Sequence, residues 1–468
     1  MRTIIGHNIL ISEPTWDVLN WCKNNLTIDN PVYVQLKRLG KDDTIRIKRV
    51  PEKLEVYAEK YGSLIIPSGC LYALWKYIKE YPYELKFNDN KNISIKNDLP
   101  KNTPYDYQEK AIQEMIKAKG GVLVAPCGSG KTLMGIELIR RIGKKTLWLC
   151  HTGDLLRQAR DDMLRQYPNI KIGLTTQGKL EIGEDVTIST VQTLEKVDPY
   201  LYQDAFDVVI CDECAHVAGS PSQMKMFQKI ISNIPARYKF GLTATPARSD
   251  GMIKTMYAYI GCNQSGEFDA TYKVDRNDVK TIPSIHQKFE MRNGYDDDKM
   301  DLIYDGAGMC DFNSLISALI KDNDRNDKIL DNIIKCDSEG RKQVVLTWRV
   351  EHCELIVEKL KQSGIKAMLC VGKISDKKRK EILNQEQEWN VLVATYSLLK
   401  EGISIKELDA LHMITPIADK STVVQCAGRI ERYLENKKQP IVYDYVDMDI
   451  PYCVKRFTDR RRALKNRF

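Results

Sequence analysis

One segment limits the fold more than any other. The apolar run Gly121-Val-Leu-Val-Ala125 passes straight into Pro-Cys-Gly-Ser-Gly-Lys-Thr132, and a helical stretch, Leu133 to Arg141, follows. A chain that leaves a buried strand, turns on glycines and enters a helix belongs in a sheet whose faces are covered by helices. The glycines let backbone N–H groups approach an anion, and the helix N-terminus meets that anion with partial positive charge. In such a loop Pro126, Cys127, Gly128, Ser129 and Gly130 form the cradle. Lys131 would reach the β and γ phosphates of a nucleoside triphosphate, and the Thr132 hydroxyl would hold Mg2+. Ala125 stands where the first glycine of the general pattern usually does.

The same rhythm of short apolar runs and amphipathic helical stretches continues through Thr146 to Cys150, Val186 to Ser189, Asp207 to Cys211 and Lys239 to Leu242. It returns at Gln343 to Thr347, Lys366 to Cys370, Asn390 to Ala394, Leu411 to Ile414 and Pro440 to Tyr443. Continuous apolar strands separated by helices predict an α/β fold with two tandem parallel-sheet domains. Residues 1–98 read as a small N-terminal α+β domain, 99–262 as the ATP-binding domain, 263–311 as a polar linker or insertion, and 312–468 as the second domain. Within the first, Pro31 to Arg38 and Thr44 to Lys48 flank Leu39-Gly-Lys-Asp-Asp43, which predicts a β-hairpin. Leu71, Leu74, Trp75 and Ile78 then share one helical face.

Composition excludes several classes. Hydrophobic content of 43% and charged content of 29% describe a globular protein, and no apolar run approaches the roughly 20 residues of a membrane span. Thirteen cysteines without repeating spacing predict reduced thiols in the cytosol, and the Cys211/Cys214 pair reads as core packing rather than zinc ligation. The net charge of +8 is mild, but basic residues crowd Lys37 to Arg49 and Lys455 to Arg467. Either cluster could meet phosphates or form a solvated face.

A second chemical element stands about 80 residues beyond the loop. Asp207-Val-Val-Ile-Cys-Asp212-Glu213 ends a buried run with two carboxylates. Asp212 is suited to Mg2+, and Glu213 to polarising an attacking water, the two tasks that phosphoryl transfer adds to a phosphate loop.

Asp212-Glu-Cys-Ala-His216 resembles the DExH box of superfamily 2 helicases, and further signatures of that family follow in order over residues 100 to 450. Thr103-Pro-Tyr-Asp-Tyr-Gln108 resembles the adenine-reading segment of the XPB-like and UvsW-like branch, with Gln108 toward the base and Tyr105 where an Arg is common. Leu242-Thr243-Ala-Thr245-Pro246 resembles the motif that couples hydrolysis to strand binding, and His216 would link to Thr243 or Gln425. Gln425-Cys-Ala-Gly-Arg429-Ile-Glu-Arg432 resembles the motif of arginine fingers. The resemblance implies two RecA-like domains. Arg429 and Arg432, three apart on an expected helix, share one face and suit the γ phosphate, because guanidinium groups grip phosphate in a fork. It also implies strand-binding roles for His151, Gln158, Thr190, Gln192, Arg349 and Thr395, and a place for Gly402 at the nucleotide. Ser404 stands where an Asp is common.

The resemblance therefore implies an ATP-dependent DNA helicase or translocase acting on forks or branched junctions, similar to bacteriophage branch-migration helicases. Thr243-Ala-Thr245 and the Gln-first arginine motif favour DNA. An RNA helicase and the motor subunit of a restriction system are the alternatives. A monomer in the cytoplasm is expected, with Arg46 and Lys48 of the predicted hairpin meeting the duplex.

Overall fold

The computed structural model describes residues 1–39, 45–176, 179–217, 221–244, 252–292, 294–295, 300–301, 303–304, 308–372, 374, 378, 381–382, 388–401 and 405–465. These form two compact units, Met1–Val279 and Lys280–Phe468.

Among the described residues the first unit holds two main sheets and a two-stranded one, Thr27–Asp29 with Lys53–Glu55. Strands Arg2–Ile5, Asn8–Ser12, Ala58–Lys60 and Ser63–Pro67 pair antiparallel, and Tyr83–Leu85 adds in parallel beside Arg2–Ile5. Burial alternates along Asn8–Ser12, as expected of a sheet with one face on a core. The larger sheet is parallel apart from one short edge strand, and its central strands Thr146–Cys150 and Val208–Asp212 are buried along their whole length. That all-apolar pattern follows from helices covering both faces.

The predicted hairpin at residues 31–48 is not formed. Pro31–Arg38 is a helix and Ile45–Lys48 is helical as well. The Asn30 side chain accepts the Val32 N–H at 3.1 Å, and Pro31 opens the helix with its φ already suited to it. That start signal overrides the β preference of Val32, Tyr33 and Val34. Hairpins of this module lie instead at residues 2–12 and at 58–67, where Tyr61 and Gly62 turn the chain with φ of 49° and 73°.

The N-terminal module is built into the first unit. One apolar cluster runs from Ile9, Ile66 and Leu74 to Met256, Tyr257 and Ile260 of the helix Ile253–Ile260. A Cβ on Gly69 would stand 2.5 Å from the Ala258 carbonyl oxygen, and the Cys262 N–H donates to the Gly69 carbonyl at 2.9 Å. Only glycine permits that approach. Lys239, buried, sends its ammonium to Ser68 Oγ at 2.7 Å and the His7 carbonyl at 3.3 Å.

The expected linker 263–311 is divided between the units. Tyr272–Lys273 joins the large sheet beside Gly120–Val124, while Ile285–Met291 forms the edge of the second unit's sheet beside Ile441–Asp447. The second unit's six described strands are all parallel, in the spatial order Ile285–Met291, Ile441–Asp447, Ala410–Met413, Gln343–Thr347, Val391–Thr395, Ala367–Cys370. Among the described residues no helix is long and apolar enough to cross a membrane.

Candidate active site

Sheet register gathers the first site. Thr243 pairs with Val124, Leu242 with Asp212 and Cys150 with Thr190, so the carboxyl ends of these parallel strands share one edge. Ligands of open α/β sheets bind at that edge. Residues 125–132, 151–152 and 212–213 all leave the sheet there.

The loop itself is held by its neighbours. The Ala125 N–H donates to the Thr243 carbonyl at 2.9 Å, which ties the phosphate loop to the strand of the Thr243-Ala-Thr245 segment. Gly128 and Gly130 have φ of 83° and 80°, conformations that L side chains rarely adopt. The helix Lys131–Ile142 begins directly after Gly130, with Thr132 in its first turn. Gln108 Nε2 and Tyr107 Oη both donate to the Ser129 carbonyl, at 2.7 and 3.0 Å. Gln108 is buried, and its Oε1 accepts the Tyr105 N–H at 2.9 Å. Its amide is thus engaged at both ends, and it braces the loop. A contact to the base requires exchanging one of these bonds.

Lys131 Nζ lies 3.8 Å from Glu213 Oε1 and donates to the Ala125 carbonyl at 3.4 Å. Asp212 ends its strand, and the Glu213 N–H donates to Asp212 Oδ1 at 3.0 Å. Burial, with the Glu213 charge beside it, pushes the Asp212 carboxyl up to about 7. Glu213 has a φ of 48°, a strained conformation for a non-glycine residue at the end of a buried strand. Its Oε2 and the Ser129 Oγ are buried without a hydrogen-bond partner among the described residues. A glycine cradle, an ammonium, two adjacent carboxylates and buried polar atoms without such partners fit a Mg2+-nucleotide.

Other expected residues take varied places. Thr190 Oγ1 accepts the Thr193 N–H at 3.3 Å and bonds Thr193 Oγ1 at 2.7 Å, so its hydroxyl caps the helix Val191–Leu194, on which Gln192 is half-buried. His151 and Gln158 are half-buried at the start of, and along, the helix Gly153–Gln166. His216 lies in the short helix Cys214–Val217. Thr245 and Gly402 lie outside the described residues, as do the side chains of His216 and Arg46. Lys48 is exposed.

The second unit assembles its own edge. Thr347 pairs with Thr395, and Arg349 follows, donating to Asn313 Oδ1 at 3.2 Å. Thr395 Oγ1 lies 3.2 Å from Ser397 Oγ. Gln425 is buried and Arg429 half-buried on the helix Lys420–Ile430. Arg432 lies beyond the end of that helix, which corrects the expectation that it shares a helical face with Arg429. The chain leaves the helix because Ser284 Oγ binds Glu431 Oε1 at 2.7 Å and the Ile282 N–H takes the Glu431 carbonyl at 2.9 Å. Arg432 then bridges to Thr281, and Lys437 Nζ donates to the Ile430 and Arg432 carbonyls at 2.7 and 3.0 Å. Sequence reasoning missed Lys437 and the bracing hydroxyl of Tyr107; a Tyr one residue before Gln108 was the available signal for the latter.

The C-terminal basic cluster is mixed. Arg460 is buried and forks onto Asp444 at 2.8 and 2.6 Å, whereas Lys455, Arg461, Arg462 and Lys465 are exposed.

Comparison with known proteins accords with this geometry. A family model described as the res subunit of type III restriction enzymes matches residues 101–248, and one described as the helicase conserved C-terminal domain matches residues 325–433. A protein of Acanthamoeba polyphaga mimivirus named as an ATP-dependent RNA helicase, L396, is 25% identical over 437 residues, which is 89% of this chain and 80% of that one. The XPB helicase/translocase subunit of general transcription and DNA repair factor IIH from Schizosaccharomyces pombe is 29% identical over 231 residues, 45% of this chain and 28% of XPB. In fold, the solved structure of S. cerevisiae Dbp5 bound to RNA and ADP BeF3 covers 77% of this chain and 88% of its own, with a TM-score of 0.54 at 14% identity. Both sheet units thus have counterparts among nucleic-acid motors, and the chain belongs to the superfamily 2 helicases of the XPB-like type.

Proposed function

We propose that the chain is an ATP-dependent DNA helicase or translocase that unwinds or branch-migrates forked and junction DNA in replication, recombination or repair. The carrying observation is the Lys131–Glu213 pair at 3.8 Å beside Asp212, within a loop bonded to Thr243. Lys131 exchanges its carboxylate partner for the β and γ phosphates of ATP. That exchange leaves Glu213 to orient the attacking water and take its proton. Thr132 and Asp212 would hold Mg2+, which would supply neutralisation of phosphate charge. Arg429 and Arg432 of the second unit neutralise charge on the γ phosphate, as guanidinium groups that stay protonated and fork onto oxygens. His216, Thr243 and Thr245 couple the nucleotide to the strand. His151, Gln158, Thr190, Gln192, Arg349 and Thr395 line its path, where contacts to phosphate and sugar give sequence-independent grip.

The Thr243-Ala-Thr245 segment, the Gln425-first arginine motif and the DNA-repair role in the XPB name support DNA. The RNA-helicase name of L396 supports RNA as the second reading. ATPase and unwinding assays across single strands, forks, four-way junctions and RNA duplexes decide between them, with Lys131→Ala as control. Stimulation greatest with forks or junctions is expected. Greater stimulation by RNA moves the assignment to RNA, and equal background rates for both proteins reject the motor.

A further inference from the structure

The segment Ile414–Ile417 connects the strand Ala410–Met413 to the helix Lys420–Ile430, which carries Gln425 and Arg429. Four successive carbonyls along it are each held by a different side chain. Arg325 Nη2 donates to the Ile414 carbonyl at 2.7 Å and Tyr396 Oη to that of Thr415 at 2.7 Å. Trp348 Nε1 donates to the Pro416 carbonyl at 2.7 Å, and Arg460 Nη1 to that of Ile417 at 3.3 Å.

The four donors fall into two kinds. Arg325 and Arg460 are buried anchors: Arg325 Nε also binds Asp447 at 2.7 Å, and Arg460 forks onto Asp444. Such paired guanidiniums have little freedom to move. Trp348 and Tyr396 come from the other side of the problem. Trp348 lies between Thr347 and Arg349, and Tyr396 follows Thr395, so both belong to the segments assigned above to the strand. Tyr396 is buried, but Trp348 is 38% exposed. The two rings are 5.2 Å apart, and Phe312 meets Trp348 edge-on at 5.7 Å. At Tyr396 a phenyl ring would keep the packing and lose only the hydroxyl. The indole N–H and the phenol O–H add only their bonds to the segment. Beyond it, Asp419 caps the next helix by accepting the Thr422 N–H at 3.2 Å.

We propose that Ile414–Ile417 is a strut through which a nucleic-acid base stacked on the exposed face of Trp348 sets the position of the helix bearing Gln425 and Arg429. Trp348 and Tyr396 are then positioning residues for hydrolysis. An exposed aromatic face accepts any base, which suits a motor without sequence preference. This inference rests on the strand-driven ATPase proposed above.

The test uses the full chain with Tyr396→Phe, which keeps the ring and deletes its donor, and Trp348→Phe, which keeps an aromatic side chain but removes the indole together with its donor. Measured are ATP hydrolysis at saturating single-stranded and forked DNA, KM for ATP, strand affinity by fluorescence anisotropy and the thermal midpoint. Each variant is expected to lose about 10-fold in strand-stimulated kcat while KM for ATP and strand affinity stay within about twofold, the signature of misplacement rather than lost binding. The double variant is expected to fall no further than the worse single one, because both act on one strut. Stimulated kcat within about twofold of wild type in both variants overturns the proposal, as does a loss of kcat matched by equal losses in strand affinity and KM. Should Tyr396→Phe fail to fold, Trp348→Phe decides alone. A wild-type protein whose ATPase ignores every strand overturns the functional reading and this one together; a responsive wild type with equally responsive variants overturns the strut only.

Discussion

Gln108 donates its amide to the Ser129 carbonyl at 2.7 Å, and a Cβ on Gly130 would stand 2.4 Å from that same amide nitrogen. The brace and the glycine are therefore matched. Gln108→Ala removes one buried and one half-buried hydrogen bond, a loss of about 1–3 kcal/mol that is expected to raise KM for ATP at constant fold. Gly130→Ala is expected to abolish nucleotide binding in titrations with a fluorescent ATP analogue. Combining the two relieves the clash but not the φ of 80°, so recovery is expected to be slight.

Lys239 links stability to pH. Burial pushes its ammonium from 10.5 down to about 7, with His7 and Cys211 as its titratable neighbours. Between those values the unfolded chain holds a proton that the folded chain has lost, so stability rises with pH across that window. The thermal midpoint of the wild type is expected to rise from pH 7 to about 9 relative to Lys239→Met, whose own profile is flatter. Parallel profiles for the two proteins refute the assignment.

The basic C-terminal helix separates into structural and solvated members. Arg460→Ala leaves Asp444 buried with its guanidinium fork gone and is expected to cost about 3–5 kcal/mol. Arg461→Ala and Arg462→Ala, both exposed, are expected to lie within about 0.5 kcal/mol of wild type in urea unfolding.

Lys437 secures the approach to Arg432. Its ammonium donates to the carbonyls of Lys406, Ile430 and Arg432 at 2.8, 2.7 and 3.0 Å. Lys437→Met leaves these oxygens without that donor and is expected to destabilise the second unit by about 1–3 kcal/mol. It is also expected to lower kcat more than KM for ATP, because Arg432 loses its register; unchanged steady-state kinetics refute that role.

What was legible in the sequence followed from strong local signals. The strand Gly120–Val124, the glycine loop and the helix from Lys131 sit where the residues predicted, because a buried strand, glycines and a helix start agree at one junction. The strand ending in Asp212 was readable for the same reason. Residues 31–48 were misread because β-branched and aromatic residues outweighed Asn30 and Pro31, although the cap carries the stronger physical reason. Arg432 was misplaced because nothing local ends its helix. Ser284 and Ile282 do, from a distant point in the chain, together with Lys437 a few residues on. The strand at Ile285–Met291 was hidden by an edge position whose exposed residues lack an apolar run.

The glycine contact at Gly69 has a further consequence for dissecting this motor. Removing residues 1–98 would strip the Gly69 segment from the helix Ile253–Ile260 and expose apolar surface of the cluster they share, a surface prone to self-association. A shortened chain would then lose activity by aggregating, whatever the N-terminal module itself contributes. Exposed side chains such as Lys48 and Tyr61 can be replaced one at a time without disturbing that buried seam, and they are the handles through which the module's own contribution becomes measurable.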